Sequence, residues 1–316
     1  MRPINLARKN NGMGVKGLYS FIKSSGKPLN IKCARDLRIG VDISFFLYRW
    51  GFAQELYFSF IRTLQENGNK VLFVFDGKPG AKKEPELEER RRKMEKAEKY
   101  VLALEENMAA SLFDTQQTEI LQKTIEVEKR KIRRPTKLER HTLKEAFYRE
   151  GIPMLKSSEE ADELLVALIR ENDIDVIITG DTDIIRLGAS RVWMPTNDSA
   201  TQFLEFNSAK LFKSLGITWT QFQEVCILCG GNSMGFDDTR KIDIRKAYNW
   251  IRVYGSIATI IKKHFEWWPC DFKDIHKRIA ESIAFTKGIC VEQWLREDEK
   301  DRLVAWRQDE RMPYTT

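Results

Sequence analysis

Hydrophobic positions along this chain fall into short continuous runs, separated by longer stretches with a helical repeat. Arg38-Ile39-Gly40-Val41-Asp42-Ile43 reads as a short buried strand that ends around a carboxylate. Residues 44–66 follow as an aromatic-rich helix, and Lys70-Val71-Leu72-Phe73-Val74-Phe75 is a second buried strand running straight into Asp76. The pattern returns at Asp175-Val176-Ile177-Ile178-Thr179, which leads into Gly180-Asp181-Thr182-Asp183. Another strand is expected at Arg191-Val192-Trp193-Met194, with alternating helical segments from there to about residue 265. Continuous apolar strands belong to parallel sheets covered by helices on both faces, where the functional crevice lies outside the strands' carboxyl ends. The expected fold class is therefore α/β, with a mostly parallel central sheet flanked by helices.

Between the second and third strands the composition changes sharply. Residues 82–145 are charged and poor in β-branched apolar side chains, and they read as a helical insertion. Within it, residues 129–144 hold eight Lys or Arg against the single acid Glu139, and Pro135 divides them into two helices meeting at a bend. A solvated pair of helices is the ordinary explanation of such a stretch, but the one-sided charge favours a polyanionic partner. Residues 1–12 are polar and aperiodic, a flexible extension ahead of Met13, and the Trp-rich, charged tail over 263–316 receives no task from its pattern.

The 316 residues suit one large domain with an insertion. Lys and Arg number 53 against 46 Asp and Glu, a formal charge of +7 that suits a polyanion without identifying one. Five cysteines include one Cys-x-x-Cys, at Cys226 and Cys229, without a second pair at zinc-module spacing, so all five are expected to be reduced, buried thiols. No apolar run approaches the roughly 20 residues that span a bilayer, and no signal-peptide core is present. A soluble, intracellular protein without a membrane partner is expected.

Six carboxylates stand at strand ends or at a helix start: Asp42, Asp76, Glu160, Asp162, Asp181 and Asp183. Glu160 and Asp162 open the helical run 160–169 behind Ser157-Ser158, where a serine cap is expected. Any one acid alone is accounted for by capping or solvation. Together they would repel strongly on one sheet edge unless a cation neutralised them. Oxygen-liganded Mg²⁺ suits such a site. Two ions about 4 Å apart activate a water and stabilise the leaving oxygen of a phosphodiester. No competing arrangement is present: His141, His264 and His276 lie in no catalytic context, and neither a Walker loop nor a Gly-x-Gly-x-x-Gly occurs.

The order and spacing of these segments resemble the flap endonuclease (XPG-type) 5′ nuclease family over residues 13–262. Met13-Gly14-Val15-Lys16-Gly17-Leu18 is similar to its N-terminal signature, Val41-Asp42-Ile43-Ser44 to its first catalytic strand, and Val74-Phe75-Asp76-Gly77-Lys78-Pro79 to its second. Glu159-Glu160-Ala161-Asp162 resembles the paired-acid helix start, and Thr179-Gly180-Asp181-Thr182-Asp183 the last acidic strand tip. The resemblance implies a PIN-like sheet carrying two Mg²⁺ ions, with Mn²⁺ as a substitute. Its N-terminal part covers residues 13–80, a helical arch about 81–145, and an internal part 146–262. A single-stranded 5′ flap would pass through the arch. Lys83 and Arg90 match the positions at the arch base that steer the scissile phosphate. Lys129, Arg130, Arg133, Arg134, Lys137 and Arg140 would line its far side and attract the flap. The partner implied is DNA with a 5′ flap or a junction between single strand and duplex, handled by a monomer in the nucleus or wherever viral or cellular DNA is replicated and repaired.

The chain departs from the family pattern at several points. Where the family has another metal-ligand Asp, this chain has Asn232, an uncharged oxygen donor that would weaken the second ion, with Asp237 or Asp238 as compensating acids. The glycine-rich helix–turn–helix that grips duplex is replaced by residues 239–247, leaving Arg240, Lys241, Arg245 and Lys246 for duplex contact. A form starting at Met13 is expected to be at least as active as one carrying the extension. No Gln-x-x-aliphatic-x-x-aromatic-aromatic box is found, so recruitment by a sliding clamp is not expected. The residues point to a structure-specific 5′ flap endonuclease with 5′ exonuclease activity as a second capacity. Two other readings stay open: a DNA-junction binding module with little catalysis, and a 5′ exonuclease acting on RNA.

Overall fold

In the computed structural model, which describes residues 15, 17–80, 84–110, 115–132, 134–229, 242–263 and 272–309, the continuous apolar runs are strands of one sheet. Its strands are β1 (Lys27–Asn30), β2 (Arg38–Asp42), β3 (Lys70–Phe75), β4 (Met154–Lys156), β5 (Val176–Ile178), β6 (Arg191–Pro195) and β7 (Gln202–Asn207). Their order is β1-β7-β6-β5-β2-β3-β4. The five strands from β6 to β4 pair in parallel, whereas β7 runs antiparallel to both β6 and β1. The expected α/β class with a mostly parallel sheet is what the chain adopts. From β2 the chain builds outward through β3 to β4, then returns to the other side of β2 for β5 and β6. The boundary between β2 and β5 is thus the topological switch point, where open α/β sheets bind ligands.

Alternate residues of each central strand enter separate cores, which is why these strands read as unbroken apolar runs. Leu72, Val74 and Ile177 face one core, together with Leu164, Leu165 and Leu168 of the helix Ala161–Arg170. Ile39, Val41, Val71, Phe73, Phe75, Val176 and Ile178 face the other, with Phe46, Tyr57 and Phe147. Each fully buried Leu, Val or Phe contributes roughly 1.5–3 kcal/mol relative to exposure, so the central strands are held firmly from both sides.

The aromatic helix expected over 44–66 is two helices, Ile43–Trp50 and Gln54–Gln65. Gly51 breaks it by adopting a φ of 57°, a conformation that L side chains rarely take. Strands β1, β4 and β7 carry no continuous apolar run. Pro28 and a three-residue length hide β1 and β4 at the two sheet edges, and polar residues alternate with buried ones in β7.

The insertion comprises the helices Glu84–Ala110 and Thr115–Ile132, followed by Lys137–Arg149. Pro135 lies between the last two as expected, and Thr136 with Glu139 forms a capping box at the new helix start. That third helix packs on the sheet through Leu143, Ala146 and Phe147, whose ring lies 4.7 Å from that of Phe73. The tail is built onto the same body: Ser157 pairs with Leu295 across an antiparallel bridge, and the Trp306 indole donates to the Asp173 carbonyl at 3.0 Å. Cys226 and Cys229 are buried free thiols, but Cys33 is exposed and Cys290 half-buried, so the expectation of uniform thiol burial fails for that pair, and Cys270 lies outside the described residues. Among the described residues no helix is long and apolar enough to cross a membrane.

Candidate active site at the carboxyl edge of the sheet

Asp42 closes β2 and is the N-cap of the next helix. Its Oδ1 accepts from the backbone N–H of Ser44 at 2.9 Å and of Phe45 at 3.3 Å. Its Oδ2 accepts from the Thr179 hydroxyl at 2.8 Å, across the switch point between β2 and β5. Asp42 is only 7% exposed. Burial, and after it the charge of Asp76, pushes its carboxyl up to about 7, against the opposing pull of these hydrogen bonds.

Asp76 follows β3 and faces the same space. Its Oδ2 accepts a short hydrogen bond from the Ser44 hydroxyl, and its Oδ1 accepts from the Ala161 N–H at 2.9 Å. That second contact corrects the capping expectation. Glu160 is the N-cap residue of Ala161–Arg170 but makes no side-chain cap bond, and the two serines turn away: the Ser157 hydroxyl donates to the Trp294 carbonyl and that of Ser158 to Gln293. The helix start is capped instead by the carboxylate of a neighbouring strand tip, where the positive end of the helix dipole meets the charge.

Gly77 makes this approach possible. Its N–H bonds the Glu159 carbonyl and the Lys78 N–H bonds that of Ser158 at 3.2 Å. A Cβ on Gly77 would lie 2.2 Å from the Ser157 carbonyl oxygen and 2.3 Å from that of Ser158. The Phe-Asp-Gly-Lys-Pro run is therefore a backbone clasp that holds Asp76 against the paired-acid helix.

Asp162 and Asp181 complete the acidic face. Asp162 is held well above the usual carboxylate range, first by burial and then by the charges of Asp181, Asp42, Glu163 and Glu160. The Asp181 N–H bonds the Thr179 hydroxyl at 3.1 Å, so one hydroxyl links both sides of the switch point. Asp183 is engaged elsewhere: its Oδ1 accepts from the Val15 N–H at 2.9 Å and its Oδ2 lies 3.8 Å from Arg186. This carboxylate ties the segment after Met13-Gly14 to the strand tip.

Five of the six acids thus share one edge of the sheet, with Asp183 turned to the N-terminal segment. The donor set is all oxygen, and burial together with neighbouring carboxylate charge disfavours ionisation of Asp42 and Asp162, as suits a hard divalent cation. As placed, Asp42, Asp76 and Asp181 accept from hydroxyls and N–H groups, and among the described residues no three His, Cys, Asp or Glu side chains converge closely enough to hold a metal ion. Two hydroxyls that no charge pattern marks, Ser44 and Thr179, do the orienting.

Among the basic candidates, Lys129 lies 2.6 Å from Glu105 of the facing insertion helix, Arg134 is exposed, and Lys137 and Arg140 border a cavity that also contains Asp76. Arg245 and Lys246 are exposed at the start of Ile244–Tyr254, whose first N–H groups are capped by Asp243. Lys83, Arg133, Asn232, Asp237, Asp238, Arg240 and Lys241, and the extension 1–12, lie outside the described residues, as do the side chains of Arg90 and Arg130.

Comparison with known proteins agrees with this architecture. Residues 151–232, which include the paired acids and the last acidic strand tip, match the XPG I-region. Flap endonuclease 1 of Xiphophorus maculatus is 27% identical over 275 residues, covering 79% of this chain and 69% of that protein. The Homo sapiens flap endonuclease 1 is 26% identical over 278 residues with the same shares covered. Among solved structures, the catalytic core of Rad2 in complex with DNA substrate matches with a TM-score of 0.58 at 17% identity, over 96% of this chain and 90% of that one. Flap endonuclease-1 from Methanococcus jannaschii matches with a TM-score of 0.55 at 16% identity, over 90% and 91%. The chain thus contains an XPG I-region, is similar to flap endonucleases at 26–27% identity over 79% of its length, and shares the fold of the Rad2 catalytic core.

Proposed function

We propose that this protein is a Mg²⁺-dependent, structure-specific 5′ nuclease that cuts DNA at 5′ flaps, with 5′ exonuclease activity as a second capacity and Mn²⁺ as an alternative metal. The observation that carries this reading is the placement of Asp42, Asp76, Asp162 and Asp181 along one carboxyl edge of the sheet, within electrostatic reach of one another though not drawn together around an ion, where burial and neighbouring charge hold Asp42 and Asp162 toward protonation. A cation relieves that repulsion. Glu160 and Asn232 are the further oxygen donors the reading assigns to the ions. Mg²⁺ held by these oxygens would make a water easier to ionise for attack on a phosphodiester and would offset charge on the leaving oxygen.

The chain's own groups divide the remaining work. Thr179 and Ser44 hold the Asp42 and Asp76 carboxylates in fixed orientations, and the Gly77 clasp keeps Asp76 at the helix start. Lys83 and Arg90 are assigned to the scissile phosphate, and the basic residues of the insertion, with Arg240, Lys241, Arg245 and Lys246, to the phosphates of flap and duplex. The relatives named flap endonuclease and the Rad2 core solved on a DNA substrate support DNA as the polymer.

Cleavage of a 5′-flap DNA substrate in Mg²⁺ or Mn²⁺, abolished by Asp181→Ala, is the expected result, with RNA of matching structure cut more slowly. A second reading, a DNA-junction binder with little catalysis, is favoured by the neutral Asn232 where the family pattern has an acid. Tight binding of the same substrate without cleavage in either metal would select it.

A further inference from the structure

A cavity of about 330 Å³ opens beside Asp76, on the side of β3 away from the switch point. Three pieces of chain wall it: the β3 and β4 ends, the helix Lys137–Arg149, and the tail segment around 296–302. Six cations line it, Lys137, Arg140, Lys144, Lys156, Arg296 and Arg302, against only three acids, Asp76, Asp298 and Glu299. The acids are already engaged. Arg296 forks onto Asp298 at 2.7 and 2.6 Å, Arg302 lies 3.4 Å from Glu299, and Asp76 holds Ser44 and Ala161. Among the described residues no acid lies within ion-pair distance of Lys137, Arg140, Lys144 or Lys156.

Lys144 shows how crowded these charges are. Its ammonium lies 4.6 Å from the centre of the Phe75 ring, and burial, followed by the charge of Lys156, holds it down at about 8. An anion placed in the cavity would relieve both costs. The tail wall is fixed rather than loosely apposed: the Ser158 N–H and the Ser157 hydroxyl both donate to the Trp294 carbonyl, at 2.8 and 3.1 Å.

We propose that this cavity is a phosphate site that seats the 5′-terminal phosphate monoester of a DNA strand next to the acidic edge, and that the tail residues Arg296 and Arg302 complete it. A monoester fits better than an internal diester because it carries close to two charges at neutral pH and three acceptor oxygens, matching a multiply cationic cavity. Its position, with Ser44 and Asp76 in the same wall, brings a strand end up to the cutting site. The inference rests on the nuclease reading for its choice of polymer, and it gives the exonuclease capacity a physical basis.

The test uses the full chain in EDTA, where no cleavage is needed, and reads the binding of a short single-stranded DNA oligonucleotide by fluorescence anisotropy. The 5′-phosphorylated strand should bind about tenfold more tightly than the 5′-hydroxyl strand, as two or three charge-assisted hydrogen bonds provide. In Lys144→Gln and Arg296→Gln, shown by thermal melting to be folded, that preference should shrink to about twofold or less while hydroxyl-strand affinity changes little. Equal affinities of wild type for the two strands would overturn the proposal. So would a common loss of affinity for both strands in the variants, which would put an internal diester in the cavity. Phosphate preference in a protein that never cleaves would leave this site standing and overturn the catalytic reading instead.

Discussion

Asp42→Asn separates the electrostatics of the acidic edge from its packing. The amide is isosteric: its oxygen keeps the Ser44 and Phe45 N–H bonds, and its nitrogen donates to the Thr179 oxygen, which retains a lone pair for the Asp181 N–H. What is lost is a charge that the folded protein holds at a cost. The wild-type carboxyl moves from its ordinary 3.8 to about 7 on folding. At 1.36 kcal/mol for each tenfold change in proton affinity, that difference sets a ceiling of about 4 kcal/mol on the penalty of ionised Asp42. The sign follows from proton linkage. The folded state keeps a proton that the unfolded state releases, so wild-type stability falls as pH rises from about 4 to about 7 and then levels off. In EDTA, Asp42→Asn should therefore match wild type near pH 4 and exceed it by roughly 1–3 kcal/mol at pH 8. Urea unfolding at a series of pH values measures the gap. Added Mg²⁺ should close it by stabilising wild type alone, while the variant cuts no flap. A pH-independent gap, or a variant less stable at pH 8, would refute the reading that burial, and after it the charge of Asp76, holds this carboxyl up.

Gly77→Ala would drive a methyl into two backbone carbonyls that cannot step aside, so a stability loss of about 3 kcal/mol and a lower melting temperature are expected, with flap cleavage falling because Asp76 is displaced. Wild-type stability in Gly77→Ala would contradict the clasp. Asn232→Asp should lower the Mg²⁺ concentration at half-maximal cleavage rate, since an added charge tightens the second ion; an unchanged midpoint would remove Asn232 from the ligand set. Arg307→Ala breaks bonds to Asp173 at 2.7 Å and to Glu171 at 3.2 Å, but the side chain is 44% exposed, so a loss of about 1 kcal/mol in urea unfolding is expected after solvent screening. A loss several times larger would mean that the tail depends on this one contact.

The strands that carry acids were legible because two physical signals coincide in them. Burial on both faces writes an unbroken apolar run, and a carboxylate terminates it, as at Val41-Asp42 and Phe75-Asp76. Strands β1, β4 and β7 lack the first signal, being short, edge-placed or alternating. The acids at the site were legible by position, yet their partners were not. Thr179 and Ser44 look like any strand-end hydroxyl until the sheet brings β2 and β5 side by side. The start of Ala161–Arg170 misleads for the same reason: Ser157 and Ser158 are good local caps, but a carboxylate 85 positions away in the chain takes the N–H that a local cap would have served. Likewise Lys144, Lys156 and Arg296 belong to three segments whose convergence no local pattern records.

The contact between the Trp294 carbonyl and the 157–158 segment extends further than a single bond. Residues 157–159 are grasped on one side by the tail and on the other by Gly77 and Lys78, so one ribbon of hydrogen bonds runs from residue 294 to the neighbour of Asp76. A fragment cut at residue 262 would leave that ribbon unfastened at one end. The segment around Trp294 acts as a splint for a carboxylate two hundred positions upstream, and anyone trimming this protein for crystals or for fusion should keep it.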